Sequence, residues 1–499
     1  METINALLLG LDQAIMPVNL FWCLIGALLG TLVGVLPGLG PAATMSILLP
    51  FTIGLEPVTS LIMLAGIYYG AQYGGSTTAI LLNLPGEASS VVTAIDGYKM
   101  ARKGRAGVAL ATAAIGSFFA GTVATLLLAL FAPALAEVGL LFGPAEYFSL
   151  MILGLIASIV LARGSLPKAL AMVFTGILIG MIGQDVQTAA PRFMLGYEEL
   201  ATGVNFVVVA MGLFGIGELI KDLEHTENRT AIKAPFFSML PSREDWRRMA
   251  APILRGTGIG SLLGLLPGSG ALLAAFAAYA IEKRVAKTPE GFGNGAIEGV
   301  AAPESANNAG AQTSFVPLLT LGLPANAVMA LMFGALIMQG IAPGPTLISD
   351  HPQIFWGVIV SMWVGNFMLL VLNLPLIGIW TKLLTLPFQY LYPAIIVFCA
   401  IGAFSLGNSV FDLWLLAIFS ILGYIFTKLD CDAAPLVMGL ILGPMLEENF
   451  RRAMFLSRGS LSIFVDKPIS AGLLVAAVVV LALIVLPKFG SVRKEAFQE

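Results

Sequence analysis

Apolar positions run in continuous stretches along this chain, and polar positions collect in short segments between them. Helix-length apolar stretches cover residues 58–72, 108–131, 147–162, 169–183, 204–220, 355–372, 390–406, 412–426 and 471–486. A helix that crosses a bilayer needs roughly 17 to 25 mostly apolar residues, whereas a lipid-facing barrel strand alternates with period two. The continuous pattern therefore predicts helices, whose backbone groups are satisfied within the segment. The fold class read from it is all-α, a polytopic membrane protein with about 10–12 membrane segments.

Proline and glycine interrupt the apolar pattern at matched places. GVLPGLG at 34–40 and GLLPGSG at 264–270 repeat one breaker pattern 230 residues apart. NLPGEAS at 83–89 has a counterpart in GLPANAV at 322–328, with an offset of 239 between the prolines. The stretch from Ser165 parallels the stretch from Ser409, and AMGL at Ala210 parallels VMGL at Val437. Matches in the same order indicate an internal duplication. The domain reading is a first membrane repeat at 1–220, a cytoplasmic linker at 221–250, a second membrane repeat at 251–450, and a C-terminal segment at 451–499. That last segment comprises a loop, a final transmembrane helix and a short tail.

Loop charge indicates how the repeats are oriented, because cytoplasmic loops collect Lys and Arg. Lys99, Arg102, Lys103 and Arg105 have no basic counterpart in 340–353, and Lys283, Arg284 and Lys287 have none in 53–57. Corresponding loops then face opposite sides, which predicts inverted-topology repeats. Walking from 99–105 as cytoplasmic, basic and non-basic loops alternate through 221–255. Arg451, Arg452, Arg458 and Lys467 fall outside if both 433–446 and 471–486 cross. Either 433–446 is re-entrant or these arginines are paired.

Segments 76–84 and 88–95 are each too short to cross and are split by Pro85-Gly86, so they are expected to form a re-entrant hairpin. Segments 313–323 and 326–338 around Pro324 are expected to form its partner, entering from the other face so that the tips meet near the midplane. Irregular backbone at that depth is tolerated only where protein or water satisfies it. Half-helix N-termini there favour a carboxylate, and freed carbonyls and side-chain oxygens favour a cation. Substrate-binding candidates are Gly38, Gly40, Ser76, Thr77, Thr78, Asn83, Pro85 and Gly86 in the first half, with Gly268, Ser269, Gly270, Thr313, Ser314, Pro324 and Asn326 in the second. Ion-coupling candidates are Glu87, Glu304, Ser305, Asn307, Asn308 and Gln312, because ionisable and amide groups in an apolar setting are costly and mark ion pathways. Each hydroxyl also has a plain alternative role, bonding only to the preceding helical turn, and each glycine a role in close packing. Asp96 is read as a surface residue where the hairpin exits.

With 58% hydrophobic and 11% charged residues over 499 positions, the composition fits no water-soluble core. The net charge of −3 brings no basic face suited to nucleic acid. Cys23, Cys399 and Cys431 are far apart and are read as packing residues, with no disulfide framework and no metal site. His225 and His351 are read as loop residues. The N-terminus carries no basic region of the kind that precedes a cleaved signal peptide.

The chain resembles the large membrane subunit of the tripartite tricarboxylate transporters, the TctA family. The likeness runs through GVLPGLGPAAT at 34–44, YGGSTTAILLNLPGEASSVVTAIDGY at 73–98, GLLPGSGA from 264, EGVAAPESANNAGAQTSFVPLLTLGLP at 298–324 and PLVMGLILGPMLEENFRRA at 435–453. It implies a secondary carrier of the bacterial inner membrane, driven by a cation gradient. The implied partners are a periplasmic solute-binding protein similar to TctC and a small membrane subunit similar to TctB. Substrates of such systems are citrate and other di- or tricarboxylates, aromatic ones included. No cofactor is implied beyond Na⁺ or H⁺ as the coupling ion. The resemblance also gives weight to Glu447, Glu448, Arg451 and Arg452 as an ion-paired partner contact.

Other classes fit less well. An ion channel also uses re-entrant segments, but duplication with inverted charge suits alternating access. An enzyme would need a DDxxD-type cluster, a His-rich metal set or a nucleophile with its base, and a passive assembly scaffold has no use for a buried Glu304.

Overall fold

The computed structural model describes residues 2–36, 40–162, 165–185, 187–222, 232, 239–266, 270–383 and 391–485. Gly38, Gly268, Ser269 and His225 lie outside the described residues. The first half consists of α1 (Glu2–Ala14), α2 (Pro17–Gly34), α3 (Pro41–Leu48), α4 (Pro57–Leu82), α5 (Ser90–Met100), α6 (Ala106–Gly139), α7 (Pro144–Leu161), α8 (Leu166–Gly180), α9 (Phe206–Ala210) and α10 (Gly217–Asp222). A two-stranded antiparallel ribbon, β1 (Gly183–Gln184) with β2 (Pro191–Arg192), follows α8. The second half begins with α11 (Arg243–Leu263), α12 (Gly270–Val285), α13 (Glu298–Thr313), α14 (Phe315–Leu321), α15 (Ala327–Met338) and α16 (Leu347–Asp350). It ends with α17 (Pro352–Asn373), α18 (Ile377–Leu383), α19 (Leu391–Gly407), α20 (Val410–Lys428), α21 (Ala433–Leu456), α22 (Ile463–Asp466) and α23 (Pro468–Val485).

Among the described residues, four helical stretches are long and apolar enough to cross a bilayer: Pro17–Gly34, Ser90–Gly139, Pro352–Asn373 and Val410–Lys428. Shorter apolar helices surround them, and the protein is an all-α, multi-pass membrane protein.

The closest helix contact in each half is made by glycine. A side chain built at Gly26, Gly30 or Gly34 of α2 would place its Cβ 2.3, 2.3 or 2.4 Å from the carbonyl oxygens of Met63, Ile67 and Ala71 of α4. The same contact recurs between α11 and α13. There Gly256, Gly260 and Gly264 would clash at 2.3, 2.2 and 2.5 Å with the carbonyls of Ala302, Ala306 and Gly310. The second set of glycines follows the first by 230 residues and its carbonyl partners by 239, the same two offsets that separate the duplicated motifs. In lipid no hydrophobic force draws helices together, so dispersion between closely approaching backbones supplies the contact, and small residues every fourth position allow it.

This packing explains where the expected hairpins differ from the structure. Residues 76–84 do not form a separate arm: α4 runs unbroken for 26 residues, joining the expected crossing at 58–72 to the polar segment after it. Gly70 and Gly74 lie inside it and leave it intact because their bare faces meet Ala27 and Val35 of the α2 segment. The helix stops at Asn83, which takes the left-handed conformation with φ 59°. The returning arm is longer than 88–95. It is α5, which continues into α6 through a π turn at Ala101–Arg105, where Gly104 takes φ 79°. In the second half the arm 313–323 is likewise the end of a longer run, α13 then α14, stopped by Gly322 at φ 67°. Asn83 and Gly322 thus end equivalent helices in one left-handed backbone state, a common helix stop.

The outer helices pack crosswise. α8 of the first half lies on α21 of the second, with Gly439 against the Val173 carbonyl. Reciprocally, α20 lies on the α9–α10 run, with Gly212 against Phe419. Replacing Gly30 or Gly260 by Ala is expected to cost about 1–3 kcal/mol through overpacking. Thermal unfolding in detergent will show it as a lowered midpoint for each variant, against little change for Gly258→Ala, where a Cβ meets nothing within 4 Å.

Candidate functional site

Glycine brings α2 close to α4 and α11 close to α13, and it leaves the polar faces of α4 and α13 turned toward each other. Gln72 and Ser76 stand one turn apart on α4, opposite Glu304, Asn307 and Asn308 of α13. Glu304 is buried. The Ser76 hydroxyl lies 2.8 Å from both of its carboxylate oxygens, Thr93 Oγ1 of α5 donates to Oε1 at 2.5 Å, and Ser117 Oγ of α6 donates to Oε2 at 3.4 Å. Asn308 Nδ2 in turn donates to Ser117 Oγ at 2.6 Å. Among the described residues the hydrogen-bond partners of this carboxylate are all hydroxyls. A cavity of about 10 Å³ opens beside it, lined by Tyr73, Ser76, Thr77, Leu110, Ala113, Ala114, Ser117, Glu304 and Asn373. That is room for one water-sized occupant. Asn373 Oδ1 is buried with no hydrogen-bond partner.

The second carboxylate, Glu87, sits just past the Pro85-Gly86 break and is half-buried. Asn307 Nδ2 donates to its Oε1 at 2.7 Å, and the Gln72 amide nitrogen, oriented to satisfy both ends of that side chain, donates to the same oxygen at 2.8 Å. The Ser90 hydroxyl donates to the Glu87 carbonyl at 2.9 Å. The buried Tyr68 hydroxyl lies near Gln72, Ser314 and Asn326. Adjacent positions of α13, Asn307 and Asn308, therefore serve the two acids separately.

The other expected site residues divide by partner. Thr77, Thr313 and Ser305 donate to the carbonyl one turn back, Thr78 donates to the Val35 and Gly74 carbonyls, and Ser314 donates to Ala311 O. Gln312 accepts from Thr125 at 3.4 Å, and Asn326 caps α15 by accepting from Met329 N. Gly86 is wedged between Gly75 Cα and the Gly34 carbonyl, and Gly40 lies near Gly86 O. Gly270 packs on Leu263 and Gly264, Asn83 is exposed, and Pro324 lies in the second break. Sequence reasoning missed Gln72, Tyr73, Thr93, Ser117 and Asn373. Gln72 was within reach, since it precedes Ser76 by one turn, but Ser117 and Asn373 are single polar residues among several scattered along long, mainly apolar helices.

Asp96, expected at the surface, is instead fully buried. Its carboxylate accepts from Gly293 N, Gly295 N, Ala296 N and the Tyr279 hydroxyl.

Of the C-terminal arginines, Arg451 and Arg452 are paired. Ala433–Leu456 is one helix of 24 residues, running through Pro444. Arg451 reaches Asp185 at 2.8 Å and Glu447 at 2.6 Å, Arg192 pairs with both of those acids, and Arg452 pairs with Glu448 at 2.5 Å on the exposed side. Asp185 also accepts from Thr188 N, Thr188 Oγ1 and Gln187 N. These groups, the Thr188 backbone first and then its hydroxyl, with Arg192 adding to them, hold the Asp185 carboxyl well below the usual carboxylate range.

A family model described as the tripartite tricarboxylate transporter TctA family matches residues 20–438. A protein of Agrobacterium vitis, described as an uncharacterized 52.8 kDa protein in the TAR-I ttuC' 3' region, is 57% identical over all 499 residues and 99% of its own length. A second A. vitis protein, described as uncharacterized and in the TAR-II ttuC' 3' region, is 55% identical over 240 residues, 48% of this chain and 99% of its own. No solved structure matches.

Arg451→Ala is expected to lower the unfolding midpoint by several degrees, because it breaks two pairs of a closed network, whereas Arg452→Ala, at an exposed i,i+4 pair, changes it little. For Asp185→Asn the sign follows from the lowered folded-state value. Its stabilisation is complete above the unfolded carboxylate value, fades as pH falls below it and is lost once pH has fallen through the folded one. The midpoint difference from wild type is therefore the same at pH 7 and pH 5.

Proposed function

The chain belongs to the tripartite tricarboxylate transporter TctA family, and from that membership we propose that it imports di- or tricarboxylates, citrate-like or aromatic, by alternating access coupled to a Na⁺ or H⁺ gradient. Its setting in this reading is the bacterial inner membrane. A periplasmic solute-binding protein similar to TctC delivers the substrate, and a small subunit similar to TctB completes the assembly.

One observation carries the reading: two acids, Glu304 and Glu87, lie beside the broken helices, surrounded by hydroxyls and amides, with a water-sized cavity next to Glu304. An unpaired carboxylate in such a setting is costly unless it meets a mobile cation. Glu304, Ser117 and Asn373 supply oxygens of the kind that take Na⁺, and either acid also takes a proton. The substrate anion belongs at the two breaks, where the starts of α5 and α15 turn first-turn N–H groups and positive dipole ends toward it. Gly40, with space beside its backbone, lets the chain approach it there, while Gly86 and Gly270 pack on neighbouring backbone. The recurring glycine contacts and stop residues support two repeats, and the loop charges support their inversion. A site too small for a carboxylate then opens when one repeat moves against the other.

Glu304→Gln and Asn307→Ala are expected to abolish uptake of labelled citrate by the assembled system in proteoliposomes, with membrane insertion and elution profile unchanged. Wild-type uptake in either variant removes the site assignment. Uptake that runs equally well without any Na⁺ or H⁺ gradient removes the coupling.

A further inference from the structure

Asp96 is a fully buried acid that the transport site does not use, and its surroundings are built around it. Gly293 and Gly295 take φ 76° and 91°, the left-handed states that turn successive N–H groups inward. The N–H groups of Gly293, Gly295 and Ala296 reach the carboxylate at 3.1, 2.7 and 2.9 Å, and the Tyr279 hydroxyl of α12 reaches it at 2.9 Å. This nest leads directly into α13, the helix of Glu304. Thr93, one turn before Asp96 on α5, donates to Glu304 itself. α5 and α13 are thus joined at two levels one turn apart, first at the transport site and then at the nest.

The nest lies on the basic side of the molecule. Lys99 donates to the Gly293 carbonyl and Lys103 to the Asn294 carbonyl at 2.6 Å. Arg105 pairs with Asp245, and Arg248 makes a two-pronged pair with Glu298 at the start of α13. The other hairpin has nothing equivalent. The positions 239 residues after Asp96 and Lys99 are Ala335 and Met338, and α15 carries no charged residue.

We propose that Asp96, seated in the Gly293–Ala296 nest with Tyr279, is the latch of the gate on the cytoplasmic side, a positioning residue that holds Thr93 against Glu304 while the gate is shut. The inference rests on the transport reading. Parting α5 from α13 strips a buried carboxylate and three N–H groups of their partners at once, so the gate has two states, latched or hydrated. A change at Glu304 reaches the latch through Thr93, one helical turn away. The opposite gate, closed by apolar packing, lacks this threshold.

Val300 reports on the seam, since it lies on α13 facing Gly97 of α5 and is buried. In the full-length carrier with Val300→Cys and Cys431→Ser, a membrane-impermeant maleimide is applied to inside-out and right-side-out vesicles separately. Adding Asp96→Asn, or Gly299→Ala, whose Cβ falls 2.2 Å from Asp96 Oδ2, is expected to raise labelling about tenfold from the cytoplasmic face alone. Tyr279→Phe, which removes one hydroxyl and leaves the nest, is expected to raise it about threefold. Unchanged labelling in these variants, a rise confined to the other face, or an equal rise from both faces overturns the latch. The readout needs no substrate, so the labelling tests the latch, while uptake of carboxylate by the wild-type carrier tests the transport reading separately.

Discussion

The contact on which the rest of this structure depends is the approach of α2 to α4 and of α11 to α13 within the width of a missing side chain. Carbonyls of one helix lie where the Cβ atoms of the other would be. Only glycine allows this, and the approach is useful in lipid because dispersion replaces the absent hydrophobic drive. It has a second effect. With one face of α4 and of α13 spent on its glycine partner, the opposite face of each is free to carry polar groups inward, and the two polar faces meet.

What they build there differs from the charge clusters elsewhere. At the periphery, Asp185, Arg192, Glu447 and Arg451 neutralise one another and tie the ribbon after α8 to α21. Asp96 is satisfied by backbone N–H groups and one phenol. Among the described residues Glu304 has only hydroxyls as partners. These groups adapt to either protonation state or to a cation, because a hydroxyl both donates and accepts. Asp185, Glu447 and Asp96 are thus met by guanidinium or backbone N–H groups, whereas Glu304, beside the broken helices, is met by hydroxyls.

Much of this was legible in the residues. The continuous apolar pattern sufficed for an all-helical membrane protein, because backbone satisfaction in lipid leaves few alternatives. Pro85 and Pro324 marked real helix stops, and Glu304, Glu87, Asn307 and Asn308 stood out as polar groups in apolar surroundings. The glycine ladders at 26, 30, 34 and 256, 260, 264 were present in the same residues with the same offset as the breaker motif. Glycine in an apolar stretch signals a break or a close helix contact alike, and the crossing expected at 58–72 stops inside α4.

The chain by itself determined which segments are helical, where they stop and which polar groups must be buried with them, since these follow from local backbone chemistry and from the cost of polar groups in lipid. Only the tertiary structure decided which acid meets which partner. Thr93, Ser117 and Asn373 come to Glu304 from three further helices, and Asp96 is buried because a loop about two hundred residues later folds its amides around it. A helix face is periodic and can be read along the sequence. The neighbour it meets is set by long-range packing, to which no local pattern points.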